Sequence, residues 1–232
     1  MSGSAYGGDV TDGRLHQWKI PDAEYARHER RRGRRHAYDL EPSRTALVVV
    51  DMIPFFVDEN PYARGIVANV NGLAAAVRGA GGVVAWVVPA PGAAMSDEFL
   101  GAEIASVFRA SGGGRAPQHR IAPAMAVDPI DFVVEKSAPS AFFPGRCDLD
   151  RRLRALDVDT VVVAGTVANV CCESTVRDAA TLGYRVVMVA DANAASDDDA
   201  LNATLTTVYR SFGDVRTAAE IVELCGCSGV RE

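Results

Sequence analysis

Residues 160–179 read Thr160-Val161-Val162-Val163-Ala164-Gly165-Thr166-Val167-Ala168-Asn169-Val170-Cys171-Cys172-Glu173-Ser174-Thr175-Val176-Arg177-Asp178-Ala179. The opening run is apolar without alternation, as a strand needs to be when helices cover both of its faces in a parallel sheet. A short loop follows, and then a helix over residues 171–182. That order puts a thiol, Cys171, at or near a helix N-terminus beyond the carboxyl end of a strand.

The same grammar repeats on either side. Apolar runs at Ala46-Leu47-Val48-Val49-Val50, Val83-Val84-Ala85-Trp86-Val87-Val88, Phe132-Val133-Val134 and Arg185-Val186-Val187-Met188-Val189 alternate with helical patterns at 66–79, 149–156, 197–212 and 218–224. Asp214-Val215-Arg216-Thr217 is a weaker sixth strand. Strands alternating with helices build βαβ units, so the expected fold class is α/β: three layers, helices on both sides of a central parallel six-stranded sheet. Between the second and third runs lies a long connection, 89–129, with a helical stretch at 97–109 and a soft Ser111-Gly112-Gly113-Gly114. A connection of that length reads as a functional loop or lid.

A chain of 232 residues, 48% hydrophobic, fits a single domain. Residues 1–42 have no sustained periodicity and read as an arm, leaving 43–232 as the domain. The start lacks a basic region followed by an apolar one, and no apolar run approaches the roughly 20 residues needed to span a bilayer. The expectation is a cytoplasmic protein without a membrane partner. The five cysteines are an odd set without metal-finger spacing, so reduced thiols are expected. Cys225-Gly226-Cys227 has no His or second pair beside it to make a metal or redox site. With a net charge of −6, bulk electrostatics excludes nucleic acid as a partner. Arg27, Arg30, Arg31, Arg32, Arg34 and Arg35 run against that balance. They suit a solvated arm, or one packed on an acidic neighbouring subunit, and no aromatic interleaving supports contact with RNA or DNA.

Ligands of open parallel sheets bind beyond the carboxyl ends of the strands, which makes the polar residues there candidates. Asp51 follows the first run directly; the alternative reading is a solvated strand end or helix cap. Lys136 closes the third run, where an ordinary surface charge is equally at home. Cys171 could be a small buried apolar residue, yet helix N–H groups and the positive dipole end favour its thiolate. Together the three supply a nucleophile, a base and a cation, and the helix start can hold an oxyanion.

These residues resemble the isochorismatase-like cysteine hydrolases. The matching stretches are Thr45 to Met52, Val134-Glu135-Lys136 with Ser140-Ala141-Phe142, and Gly165 to Ala179, whose NVCxESTxRDA pattern is the most specific. The resemblance spans about residues 44–224 and implies a Rossmann-like topology with Asp51, Lys136 and Cys171 as a catalytic triad. It implies a cis, non-proline peptide bond at Thr166–Val167, an oxyanion hole from the N–H groups of Val167 and Cys171, and a packing role for Cys172 in place of a usual Val. Two departures stand out: Ala168 where the family often has Thr, and Ile53-Pro54-Phe55-Phe56 where Gln-Asn-Asp-Phe is common. Nicotinamide and pyrazinamide hydrolases of the family carry an Asp/His metal site after the first strand. No His lies between Asp51 and His119 here, so neither a metal nor another cofactor is expected.

The implied activity is hydrolysis of a carbon–nitrogen bond in a small molecule through a thioester on Cys171. Hydrolysis of a vinyl ether, as by true isochorismatases, and a non-catalytic scaffold are the other readings. Related enzymes act on carbamoyl and ureido compounds, maleamate-type amides and streptothricin lactams. Phe55, Phe56 and Phe142 are the expected apolar walls of the substrate pocket. Asp58, Glu59 and Glu173 are either solvated surface charge or an attraction for a cationic substrate. Relatives of this kind assemble as homodimers or homotetramers, and the arm could wrap a neighbour.

Overall fold

The apolar runs become the strands of one parallel sheet: β1 Thr45–Val50, β2 Val83–Pro89, β3 Phe132–Lys136, β4 Thr160–Thr166, β5 Arg185–Ala194 and β6 Asp214–Arg216. They lie in the order β3-β2-β1-β4-β5-β6, every neighbouring pair parallel. This computed structural model describes residues 12–91 and 115–227, with Glu98, Gly101, Ala102, Ala105 and Ser106 between them. The helix expected at 97–109 and the soft stretch at 111–114 thus fall wholly or largely outside the described residues. Among the described residues no helix is long and apolar enough to cross a membrane.

Strand alternation divides the core in two. Ala46, Val48 and Val50 of β1 face one side with Leu149 and Leu153 of α5 (Leu149–Arg154), Val176 and Ala179 of α6 (Glu173–Thr181), and Leu201, Leu205 and Val208 of α7 (Asp198–Ser211). Leu47 and Val49 face the other, with Leu73, Ala74 and Val77 of α4 (Val67–Gly79) and Ala218 and Ile221 of α8 (Ala218–Cys227). Each side chain on β1 is essentially dry, so the unbroken apolar run follows from the double covering.

The strand order reverses between β1 and β4, which makes the crevice between their carboxyl ends the natural ligand site. Gly165 brings those ends together. Its φ is 120°, and a Cβ there would stand 2.1 Å from the carbonyl oxygen of Val50; only glycine admits that approach. Between Val163 and Gly165 the β4–β5 register shifts. The buried amide of Asn193 mends the gap, donating to the carbonyls of Val163 (2.9 Å) and Val189 (2.7 Å).

Two features depart from the sequence-based expectation. Ile53-Pro54-Phe55-Phe56 opens a pair of short helices, α2 Pro54–Glu59 and α3 Pro61–Gly65, each begun by a proline at its first position. The described part of the expected arm, residues 12–42, packs on the rest of the domain. Its helix α1, Asp22–Arg32, ends on left-handed Gly33. Glu24 pairs with Arg210, His28 meets the Tyr209 ring edge-on at 4.6 Å, and Ile20 and Leu40 join the two cores. The inward face of α1 consists of Glu24, Tyr25 and His28, which is why no apolar period marked it. Arg32 and Arg34 donate to nearby backbone carbonyls, while Arg27, Arg30 and Arg31 remain exposed.

Candidate active site

Asp51 directly follows β1 in a left-handed conformation, φ 51°, which costs a non-glycine residue about 1–2 kcal/mol. Three hydrogen bonds hold it there. Its N–H donates to the carbonyl of Val87 (2.9 Å), and its own carbonyl accepts from Ile53 N–H (2.8 Å) and from the buried hydroxyl of Thr166 (2.9 Å). The turn aims the carboxylate into the crevice, 1% exposed.

Lys136 ends β3, 3% exposed. β2 separates β3 from β1, and the long lysine side chain spans that gap. Its Nζ lies 2.8 Å from Asp51 Oδ2, 3.6 Å from Cys171 Sγ and 3.2 Å from the carbonyl of Ala138.

Cys171 follows β4. The Thr166–Val167 bond is cis, as the resemblance implied. The chain then forms a π-helical turn, Ala168–Cys172, before α6 begins at Glu173. The carbonyl of Val167 accepts from Val170 N–H (3.0 Å) and Cys172 N–H (3.2 Å), the two amides flanking that of Cys171. Thr175 secures the turn from below: its hydroxyl donates to the Cys171 carbonyl (2.7 Å) and accepts from Ala141 N–H (3.1 Å). That link ties the turn carrying Cys171 to the loop leaving Lys136. Cys172 and Ala168 are fully buried packing residues.

The electrostatics correct one expectation. Cys171 is not a resting thiolate: burial, and then the Asp51 charge, push its thiol up to about 12, against a smaller opposing pull from Lys136. Burial likewise raises the Asp51 carboxyl, with Lys136 restraining the rise. Burial pulls the Lys136 ammonium down, yet Asp51 and then Cys171 outweigh it and the net direction is up. The result is a neutral thiol beside a cation and a carboxylate made more basic than usual, an arrangement suited to proton transfer on demand.

Of the expected pocket walls, Phe55 and Phe56 are half-buried on α2, edge to face at 4.9 Å. Phe142 is 2% exposed and packs on Tyr184 at 5.2 Å, while Phe143 beside it is the exposed ring. Glu173 does not present a free charge, because one carboxylate oxygen takes Arg177 and the other accepts from Thr204 at 2.8 Å. Asp58 and Glu59 are exposed. Among the described residues no three His, Cys, Asp or Glu side chains converge to hold a metal ion. Thr166 and Thr175 were missed as site residues. Both lie inside the motif that drew attention to Cys171, but only their hydrogen bonds reveal a role.

The pattern of the family described as Isochorismatase domain matches residues 45–220. The ureidoacrylate amidohydrolase RutB of Variovorax paradoxus is 32% identical over 79% of this chain and 82% of its own length. Among solved structures, a cysteine hydrolase from Pseudomonas syringae pv. phaseolicola superposes with a TM-score of 0.73 at 32% identity, covering 83% of this chain and 97% of that one. The N-carbamoylsarcosine amidase of Thermoplasma acidophilum gives 0.61 at 30%, covering 75% and 96%. On sequence and architecture alike, the chain belongs to the isochorismatase family.

Proposed function

We propose that this protein hydrolyses a carbon–nitrogen bond of a small ureido, carbamoyl or amide compound, with Cys171 as nucleophile, Asp51 as proton carrier and Lys136 as the fixed cation between them. The observation that carries the reading is the division of labour in the Asp51 carboxylate. Oδ2 is held by Lys136, whereas Oδ1 is buried and, among the described residues, has no amide or cation donating to it, which leaves the Cys171 thiol as the carboxylate's other hydrogen-bonding neighbour. A buried acceptor needs a donor, and with Lys136 committed to Oδ2 the thiol is the group placed to give the carboxylate a proton.

In this reading Asp51 takes the thiol proton as Cys171 Sγ attacks the carbonyl carbon. The oxyanion is received by the N–H groups of Val167 and Cys171. Collapse breaks the C–N bond, the nitrogen leaves with the proton that Asp51 returns, and a thioester remains, or a thiocarbamate for a ureido substrate. Asp51 then draws a proton from water, which attacks the same carbon and frees Cys171. The substrate class is supported by relatives named for ureidoacrylate and N-carbamoylsarcosine, and we assign the reaction to the reducing cytoplasm because Cys147, Cys171, Cys172 and Cys225 are unpaired.

Ammonia release from a panel of ureido, carbamoyl and amide compounds tests the proposal. Wild type is expected to turn over at least one of them and Cys171→Ala none. Equal turnover by the two would refute the assignment.

A further inference from the structure

Residues 13–19 lie outside the stretch matched to the family, yet they run across the same end of the sheet as the active site. They join two parts of its rim that are distant in sequence. On one side stands α3, which continues from the helix carrying Phe55 and Phe56. Arg14 N–H donates to the carbonyl of Pro61 (3.1 Å), and its guanidinium stands 4.4 Å over the Tyr62 ring. The approach is close enough that a Cβ on Gly65 would lie 2.0 Å from the Arg14 carbonyl oxygen. On the other side stand the residues after β5 and the start of α7. Gln17 N–H donates to Asp198 Oδ1 (3.3 Å) and Lys19 N–H to Asn202 Oδ1 (2.6 Å).

His16 is the joint between the two sides, 7% exposed. Its ring stacks flat on Tyr62, 3.6 Å between centroids and 8° between planes. Its Nε2 accepts the N–H of Ala195 (3.1 Å), so Nδ1 carries the proton and donates it to Asp198 Oδ1 (2.7 Å). The Ala195 carbonyl in turn accepts from Asn60 Nδ2 (2.9 Å), at the junction of α2 and α3. One imidazole thus satisfies an amide after β5, a carboxylate on α7 and an aromatic face on α3.

We propose that His16 is a positioning residue for substrate binding: by stacking on Tyr62 and bonding to Ala195 and Asp198 it fixes α2 and α3, and with them the Phe55–Phe56 wall, over the crevice. The inference rests on the functional reading above, because it takes that wall to face a bound ureido or amide compound. It assigns His16 no part in proton transfer to Cys171. Its loss therefore weakens binding of the ground state and the transition state alike, which is a rise in KM at unchanged kcat.

The test compares the full chain with His16→Ala, His16→Phe and His16→Gln. Phe keeps the stack and loses both polar bonds. Gln has an acceptor for Ala195 N–H and a donor for Asp198, and so is the rescuing variant. Hydrogen exchange of residues 54–66 is expected to quicken on the order of tenfold in His16→Ala, as a locally loosened unit does, and KM for a ureido substrate to rise on the order of tenfold with kcat within about twofold. His16→Gln should recover most of both effects, and His16→Phe stands in if His16→Ala does not fold. Unchanged exchange in 54–66, or a fall in kcat at constant KM, overturns the positioning role. A wild-type chain that releases no ammonia from any compound overturns the functional reading instead, and the exchange comparison still decides whether His16 fixes the wall.

Discussion

Lys136 Nζ lies 2.8 Å from Asp51 Oδ2 although their strands do not touch, because the lysine reaches past the end of β2 to meet a carboxylate that a left-handed turn delivers. The pair is buried on both sides, and a buried pair is held by geometry rather than by net Coulombic gain. Removing either partner therefore does more than weaken an attraction. It changes the charge state of what remains.

Lys136→Met leaves Asp51 buried without its cation. Burial already raises that carboxyl, and loss of Lys136 removes what restrains it, so a larger fraction of Asp51 is protonated at neutral pH and cannot accept the thiol proton. Stability should fall by about 3–5 kcal/mol, the usual cost of orphaning a buried charge, and kcat by about 100-fold or more. Denaturant titration and steady-state kinetics check the two; loss of neither would show the pair to be ornamental.

Asp51→Asn should separate thiol reactivity from catalysis. In wild type, iodoacetamide labelling of Cys171, read from its tryptic peptide, should climb about tenfold per pH unit from 7 to beyond 10, because the thiol is pushed up to about 12. An ordinary thiol levels off above about pH 9. Asp51 is one cause of that rise, so the Asn variant should label faster at a given pH while losing amide turnover. Slower labelling would mean that Asp51 already holds the proton in the resting site.

Thr166→Val keeps the shape of the strand end and removes the hydroxyl bonded to the Asp51 carbonyl. The expected loss is about 1 kcal/mol of stability, a typical net hydrogen-bond contribution. A fall in kcat on the order of tenfold is expected as the Asp51 turn relaxes. A variant with wild-type kcat would show that β1 holds the turn unaided.

Cutting the chain to begin at Ser43 removes a packed segment rather than a loose arm. Ile20 and Leu40, at 5% and 7% exposure, each contribute about 2 kcal/mol of burial, and the Glu24–Arg210 pair is lost with them. The shortened chain should melt at a markedly lower temperature by calorimetry. An unchanged melting temperature would contradict the docking of α1 on α7.

Much of this was legible from residue order alone. Asp51 and Lys136 are polar breaks at the ends of apolar runs, and Cys171 heads the segment after another, so strand ends and candidate chemistry were read together. The π turn, the separation of β3 from β1 and the neutral thiol were not, because each depends on which strands become neighbours and how deeply the crevice is covered. Phe142 illustrates the same limit. Its neighbour Phe143 has the same side chain, and only the folding of the loop after β3 decides which ring enters the core. The helices α1 to α3 went unread because α1 faces inward with Glu24, Tyr25 and His28, and α2 and α3 are a turn or so each, too short for a period to show.

The proposed mechanism requires a covalent bond between Cys171 and the substrate's carbonyl carbon. Rapid acid quench during turnover of a ureido or amide substrate, followed by mass spectrometry of the peptide containing Cys171, would trap it. A substrate-derived acyl or carbamoyl adduct is expected on that cysteine in wild type, accumulating when deacylation is slow and absent from Cys171→Ala, which does not turn over. Continued turnover by the Cys171→Ala protein, with no adduct on any residue, would contradict it.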